Sequence, residues 1–408
     1  ALPNLPQRPS QAPSEKPSPT TDAASIPAGD DSTVLKPRKG STPAIPQQAT
    51  AQSQPQSQPQ RQSSKSAQAA ASALPASINS GLLPQPTAQV RDFQQSFNAL
   101  VENVSKVVIG KTIPIKQCVT ALMVGGHILL EDNPGTGKTQ LARGLANSIS
   151  TGFKRVQFTP DLLPSDVVGV TFYDQKRGEF EFREGPIFAS IVLADEINRA
   201  SPKTQSALLE AMEEGHVSID GKTHPLPDPF IVLATQNPAG SAGTQMLPNS
   251  QLDRFLVKLT MGYPDFKSQV SILEERHTEN PLDRVHPVVG AEELNALKQR
   301  AAAVEMKTSV YEYVTRLAEA TRVHSLVQLG LSPRGALAVC RMAKAYAYVQ
   351  GRDYAMPEDV AAIFPDVCCH RLILSTKARM MERSAEQIVD EILKNVEMPV
   401  IRKSREGV

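Results

Sequence analysis

Ser190-Ile191-Val192-Leu193-Ala194-Asp195-Glu196-Ile197-Asn198-Arg199 decides the fold of this chain. An apolar, strand-like run ends here on two adjacent carboxylates, and such a pair belongs beside a nucleotide. Asp195 would hold a magnesium ion, directly or through its waters. Glu196 would orient and activate the water that attacks a terminal phosphate. Both roles require a phosphate cradle nearby in space. About 57 residues upstream, the apolar run Gly126-His127-Ile128-Leu129-Leu130 leads into Asp132-Asn133-Pro134-Gly135-Thr136-Gly137-Lys138-Thr139, and a helical pattern follows.

That strand, loop and helix is a nucleotide phosphate-binding loop. Gly135 and Gly137 let backbone N–H groups curl around phosphates, Lys138 reaches the outer phosphates as a point charge, and Thr139 offers its hydroxyl to magnesium. The start of the following helix adds unpaired N–H groups and a positive dipole end. The expected nucleotide contacts are Asn133, Pro134, Gly135, Thr136, Gly137, Lys138, Thr139 and Gln140, with ATP as the nucleotide and Mg2+ held by Thr139 and Asp195. One position departs from the usual pattern: Asp132 stands where such loops begin with glycine, and a carboxylate there could weaken binding.

The 408 residues suffice for two or three domains, and 40% apolar content supports a sizeable core. Residues 1–92 contain no aromatic side chain and about fifteen prolines, with a Gln/Ser/Pro stretch at 52–60. Such a segment buries too little surface to offset ordering entropy, so 1–90 reads as a disordered tail. The tail carries about +3 of charge, leaving about −2 for the rest of a chain whose total is +1. A near-neutral body with no tryptophan and few aromatics gives no sign of a nucleic-acid footprint. Cys118, Cys340, Cys368 and Cys369 fall in expected helices and read as reduced core thiols. No apolar run approaches the ~20 residues a membrane span needs, and the start lacks a secretory leader pattern, so a soluble cytoplasmic protein is expected.

Strand candidates at 127–131, 154–158, 190–195, 230–235 and 255–260 alternate with helices at 138–149, 161–168 and 202–214, which predicts α/β architecture with a parallel sheet covered on both faces. Two hairpin inserts interrupt this alternation. One joins 171–173 to 180–182 around Lys176-Arg177-Gly178, and the other joins 216–219 to 224–226 around Asp220-Gly221. After about residue 291 strands are expected to disappear, and helical periodicity at 309–324, 333–350, 357–372 and 385–397 reads as a separate bundle.

With these motifs in view, the body resembles the MoxR family of AAA+ ATPases, in the clade with a hairpin inserted in its second helix. The similarity spans roughly residues 93–400. It is carried by Gln157 through Asp166, Ala194 through Ala211, Ala234-Thr235-Gln236-Asn237-Pro238, Gln251-Leu252-Asp253-Arg254-Phe255 and Leu331-Ser332-Pro333-Arg334. The resemblance implies an AAA+ P-loop NTPase domain at 91–285 and a C-terminal helical lid at 286–402. It also implies roles. Asn237 looks like the polar sensor that positions water together with Glu196, and Arg254 like an arginine finger for the neighbouring subunit's nucleotide. Arg334 looks like the second sensor, which contacts phosphates and links hydrolysis to lid movement. Gln157 would restrain Glu196 or serve as a structural polar residue, and Arg199 would be a second interface contact or a solvated helix-start residue.

His127 reads as a framework histidine, Cys369-His370 as too sparse for zinc, and Glu210, Glu213 and Glu214 as the wet face of an amphipathic helix. The function implied is ATP hydrolysis in a ring homo-oligomer, expected as a hexamer, that remodels or matures client proteins. A partner with a von Willebrand factor A domain is expected, and neither nucleic acid nor a membrane span. The alternatives are a nucleotide-gated binding scaffold, which Asp132 would favour, and a magnesium-chelatase-like or DNA-remodelling motor.

Overall fold

Five short runs, most of them rich in Ile, Val and Leu, carry the fold, and the computed structural model, which describes residues 87–238, 245–275 and 280–400, pairs them into one sheet. Numbered in chain order they are β1 (Ile128–Glu131), β2 (Phe153–Gln157), β3 (Ile191–Asp195), β4 (Ile231–Gln236) and β5 (Val257–Leu259). Their order across the sheet is β5-β1-β4-β3-β2, and every pair is parallel. Side chains alternate faces with period two. Ile128, Leu130, Ile191, Leu193, Ile231, Leu233, Val257 and Leu259 enter one apolar core, while Leu129, Val192, Ala194, Val232 and Ala234 enter a second on the opposite face. Two covered faces explain why β1, β3 and β4 read as continuous apolar runs, whereas β2, at the sheet edge, is Phe-Lys-Arg-Val-Gln and mostly exposed. Each buried Val, Leu or Ile contributes about 1.5–3 kcal/mol.

The helices that cover the sheet start and stop where local chemistry dictates. Helix Pro202–Glu214 opens with Ser201, whose hydroxyl accepts the Thr204 amide at 3.3 Å, and with proline at the first position, where no N–H is needed. Gly215, at φ 67°, ends it. The helix expected at 161–168 begins later, at Pro164, because the Leu162 amide closes a turn on the Thr159 carbonyl at 3.2 Å and Asp166 accepts the Leu163 amide at 2.9 Å. Both hairpins form: Gly169–Asp174 pairs with Glu179–Glu184, and His216–Ile219 with Lys222–Pro225. Asp220 and Gly221 both take positive φ at the second turn.

The C-terminal region holds helices Ala291–Ala302, Thr308–Val323, Pro333–Val349, Pro357–Cys368 and Ala385–Asn395. Strands do not disappear there, contrary to the sequence expectation. Glu305–Met306 pairs with Tyr354–Ala355 and Val327–Leu329 with Ile373–Leu374, while Val289–Gly290, just before the bundle, pairs with Ile149–Ser150. Runs of two or three residues are too short to display a two-residue period. The first helix, Ala88–Ser105, packs on this bundle through Phe93, whose ring lies 4.7 Å from that of Tyr348. That helix takes in the last three positions of the expected tail, whose remainder to residue 86 lies outside the described residues.

All four cysteines are free thiols, and burial pushes the Cys369 thiol up to about 12. Among the described residues, no helix is long and apolar enough to cross a membrane.

Candidate active site

The C-terminal ends of β1, β3 and β4 converge on one loop. Gly135 and Gly137 adopt φ of 82° and 96°, left-handed conformations that glycine reaches without steric cost. A Cβ on Gly135 would meet nothing within 4 Å, so conformation rather than crowding calls for glycine there. Helix Lys138–Asn147 follows with no side chain capping its first amides, which leaves them available to an anion. The Lys138 ammonium is folded into the loop, donating to the carbonyls of Asp132 and Asn133 and to Asn237 Oδ1 at 3.1 Å. Burial lowers its pKa, and the nearby carboxylates of Asp132, Asp195 and Glu196 oppose that shift.

Thr139 Oγ1 lies 3.2 Å from Asp195 Oδ1 and 3.3 Å from Oδ2. A hydroxyl beside a carboxylate is an oxygen donor set suited to a hard cation that keeps several waters. Among the described residues no group of three or more His, Cys, Asp or Glu could hold a metal. Thr139 and Asp195 would offer a magnesium ion two oxygen donors, with the rest of its coordination left to other oxygens. Asp195 is otherwise fixed by two residues that the sequence reading did not select. Thr235 Oγ1 donates to Oδ1 at 2.6 Å, and Arg155 Nη2 to Oδ2 at 2.6 Å.

Glu196 follows in the left-handed region, φ 56° and ψ 46°, an uncommon place for a residue with a side chain. Its amide donates to Thr235 Oγ1 at 2.9 Å. Its Oε2 accepts from Gln157 Nε2 at 3.2 Å and from Arg199 Nη1 at 2.8 Å. Gln157 thus lies in contact with the carboxylate it was expected to restrain, and Arg199, left out of the core site on sequence grounds, touches it too. Asn237 is steadied by the side chain of Asn198, whose Nδ2 donates to the Asn237 carbonyl at 3.0 Å.

Asp132 is turned away from this arrangement. Its Oδ1 accepts the Asn133 amide at 2.7 Å, and its Oδ2 accepts those of Met261 and Gly262 at 3.0 and 2.5 Å. The carboxylate staples the start of the loop to the segment after β5. Gln140, in the first turn of the helix, has a buried Oε1 without a hydrogen-bond partner.

Arg254 and Arg334 are brought together, but not to the loop. Glu213 takes both, with Oε2 2.9 Å from Arg254 Nε and Oε1 2.7 Å from Arg334 Nη1. The two guanidiniums line one cavity of about 940 Å³ between sheet domain and lid, whose wall includes none of residues 131–140. Glu213 is therefore more than part of a wet helix face, as the helical periodicity had suggested. Glu210 and Glu214 are exposed as expected. His127 is the expected framework residue: its Nδ1 accepts the Val232 amide at 3.0 Å, which leaves Nε2 to donate to the Met212 carbonyl at 3.1 Å.

The chain is similar to known proteins along most of its described length. The sequence model of the ATPase family associated with various cellular activities (AAA) matches residues 127–257, and that of the AAA lid domain matches 319–392. The uncharacterized protein YeaC of Bacillus subtilis is 48% identical over 317 residues, 78% of this chain and 99% of YeaC. Chaperone MoxR1 of Mycobacterium tuberculosis is 39% identical over 307 residues, 73% of this chain and 81% of MoxR1. The crystal structure of a candidate ATPase from Cytophaga hutchinsonii superposes with a TM-score of 0.71 at 37% identity, covering 76% of this chain and 97% of that one. With a parallel sheet, a phosphate loop and a helical lid in place, the chain belongs to the MoxR family of AAA+ ATPases.

Proposed function

We propose that the chain hydrolyses ATP as one subunit of a ring, expected to be a hexamer, and uses the cycle to remodel client proteins. The observation that carries this reading is the Thr139 and Asp195 pair at 3.2 Å, next to Glu196 and the Lys138 and Asn237 contact. In this reading the loop amides of 133–140 bind the phosphates, and Lys138 leaves its carbonyl partners for them. Thr139 and Asp195 hold magnesium, which supplies charge neutralisation on the phosphates. Glu196 accepts the proton of the attacking water, and Asn237 orients that water. Gln157 and Arg199 restrain the Glu196 carboxylate at rest and must release it before it can act. Arg254 and Arg334 share one cavity, which favours their delivery together to the neighbouring subunit's nucleotide. The working domains are 91–285 and 286–402. A chaperone role is consistent with the name of the Mycobacterium relative, and a von Willebrand factor A domain partner with the family resemblance.

Asp132 lends no weight to the alternative of a silent scaffold, because its carboxylate is engaged by three amides. Phosphate release measured across a range of protein concentrations tests the proposal. It should rise more steeply than linearly for the wild type and vanish in Glu196→Gln. A strictly linear dependence would remove the ring from the mechanism, and a wild type that binds ATP without turnover would favour the scaffold.

A further inference from the structure

Arg371 ends the 3₁₀ turn Cys369–Arg371 in the lid, and its side chain is 3% exposed. A buried arginine must find hydrogen-bond acceptors for its five donors, and this one finds most of them around Arg254, the others being the Val367 carbonyl and His370 Nε2 in the lid itself. Nε donates to Asp253 Oδ1 at 2.7 Å. Nη2 donates to the carbonyls of Asp253 and Phe255 at 3.2 and 2.6 Å, and Nη1 to that of Leu256 at 3.1 Å. The lid thus grips the main chain on both sides of Arg254. The same group also reaches toward Arg334. Asp253 Oδ2 accepts from the Ser332 hydroxyl at 3.2 Å, and that hydroxyl caps helix Pro333–Val349 by accepting the Gly335 amide at 3.0 Å. A Cβ on Gly335 would come within 3.0 Å of Arg371 Cδ, so the arginine stem lies against the turn that carries Arg334.

We propose that Arg371 is a positioning residue that fastens Arg254 and Arg334 into one body, so that both guanidiniums are presented together to the neighbouring subunit's nucleotide. This rests on the reading of Arg254 as acting on a neighbour. An apolar side chain would fill the same volume without the desolvation that lowers the Arg371 pKa, an effect that Asp253 offsets. What an apolar residue lacks is the planar fork that binds a carboxylate and several carbonyls at once. Lysine lacks it as well, although it keeps the charge.

The experiment uses full-length chains in mixed assemblies. Arg371→Lys should lower kcat about tenfold or more, with KM for ATP changed by less than about twofold, since its own phosphate loop is intact. Adding Glu196→Gln subunits, which are silent but carry intact arginines, should restore hydrolysis at the Arg371→Lys subunits' own sites. Arg254→Ala mixed with Glu196→Gln is the control. If that control is not restored, the trans reading of Arg254 fails, and the present inference falls with it. If the control is restored and Arg371→Lys is not, or if Arg371→Lys alone turns over at the wild-type rate, only the positioning role is overturned. Should Arg371→Lys fail to fold by circular dichroism, Asp253→Asn takes its place with the same expected loss and rescue, and wild-type turnover by that variant overturns the proposal.

Discussion

Replacing Asp132 by alanine removes a carboxylate that accepts from three backbone amides at 2.7, 3.0 and 2.5 Å. A hydrogen bond to a charged group contributes about 1.5–3 kcal/mol net. The three here share one carboxylate, so their contributions are not independent. The Met261 amide belongs to a buried residue, whereas the Asn133 and Gly262 amides can recover water. The loss should therefore be about 2–4 kcal/mol, well below the simple sum of three charged hydrogen bonds. Urea unfolding of the full-length chain, followed by circular dichroism, measures it directly. Binding of a fluorescent ATP analogue should weaken in parallel, because the loop loses its anchor to the segment after β5. An alanine variant as stable as wild type that binds ATP more tightly would refute the reasoning, since it would mean that the carboxylate opposes the phosphates.

Three further outcomes are expected. Glu196→Gln, which cannot accept a proton, should lower phosphate release by at least about 100-fold while retaining nucleotide, and a rate near wild type would exclude Glu196 as the base. Burial raises the Asp366 carboxyl from 3.8 to about 6, although Gln117 donates to it at 2.6 Å. A carboxyl with a raised folded pKa contributes its stability below about 3.8 and loses it as pH rises through about 6. Asp366→Asn should consequently resist urea better than wild type at pH 8 and no better at pH 4, and equal midpoints at both pH values would contradict this sign. Burial lowers His127 from 6.5 to about 4, so its contribution is complete above 6.5 and lost as pH falls toward 4. Titration of its ring resonances by NMR should show no proton uptake near pH 6.5, and an ordinary midpoint there would show that the ring is not locked between Met212 and Val232.

The sheet and the phosphate loop were legible because their signals are local. A strand buried on both faces must be apolar throughout, and a loop that wraps phosphate needs Gly135 and Gly137 within a few residues of Lys138. Contacts between distant segments left no such trace. Asp132 finds its amide partners at Met261 and Gly262, and nothing in the loop's own sequence points that far. Arg155 was missed for a related reason. It sits two residues from Gln157 on the same face of β2, a signal that gains meaning only once β2 is known to lie beside β3. Glu213 fits a solvated helical stripe, and only the folded lid brings Arg334 to it. Arg371 stood next to Cys369-His370, a pair weighed as a metal site, and its role depends on carbonyls more than a hundred residues earlier. Helix Phe266–Glu275 and helix Ala291–Ala302 were not singled out either.

The left-handed backbone of Glu196 carries a consequence for how this protein could be improved or could drift. Glycine or asparagine occupies that conformation more readily than glutamate does, by roughly 1 kcal/mol in the case of glycine. Selection for heat tolerance alone would thus favour replacing the residue that the proposed chemistry can least do without. A library screened only for survival of heating should accumulate substitutions at position 196 that fold well and turn over no ATP. A screen that also demands phosphate release should keep glutamate there and find its gains elsewhere.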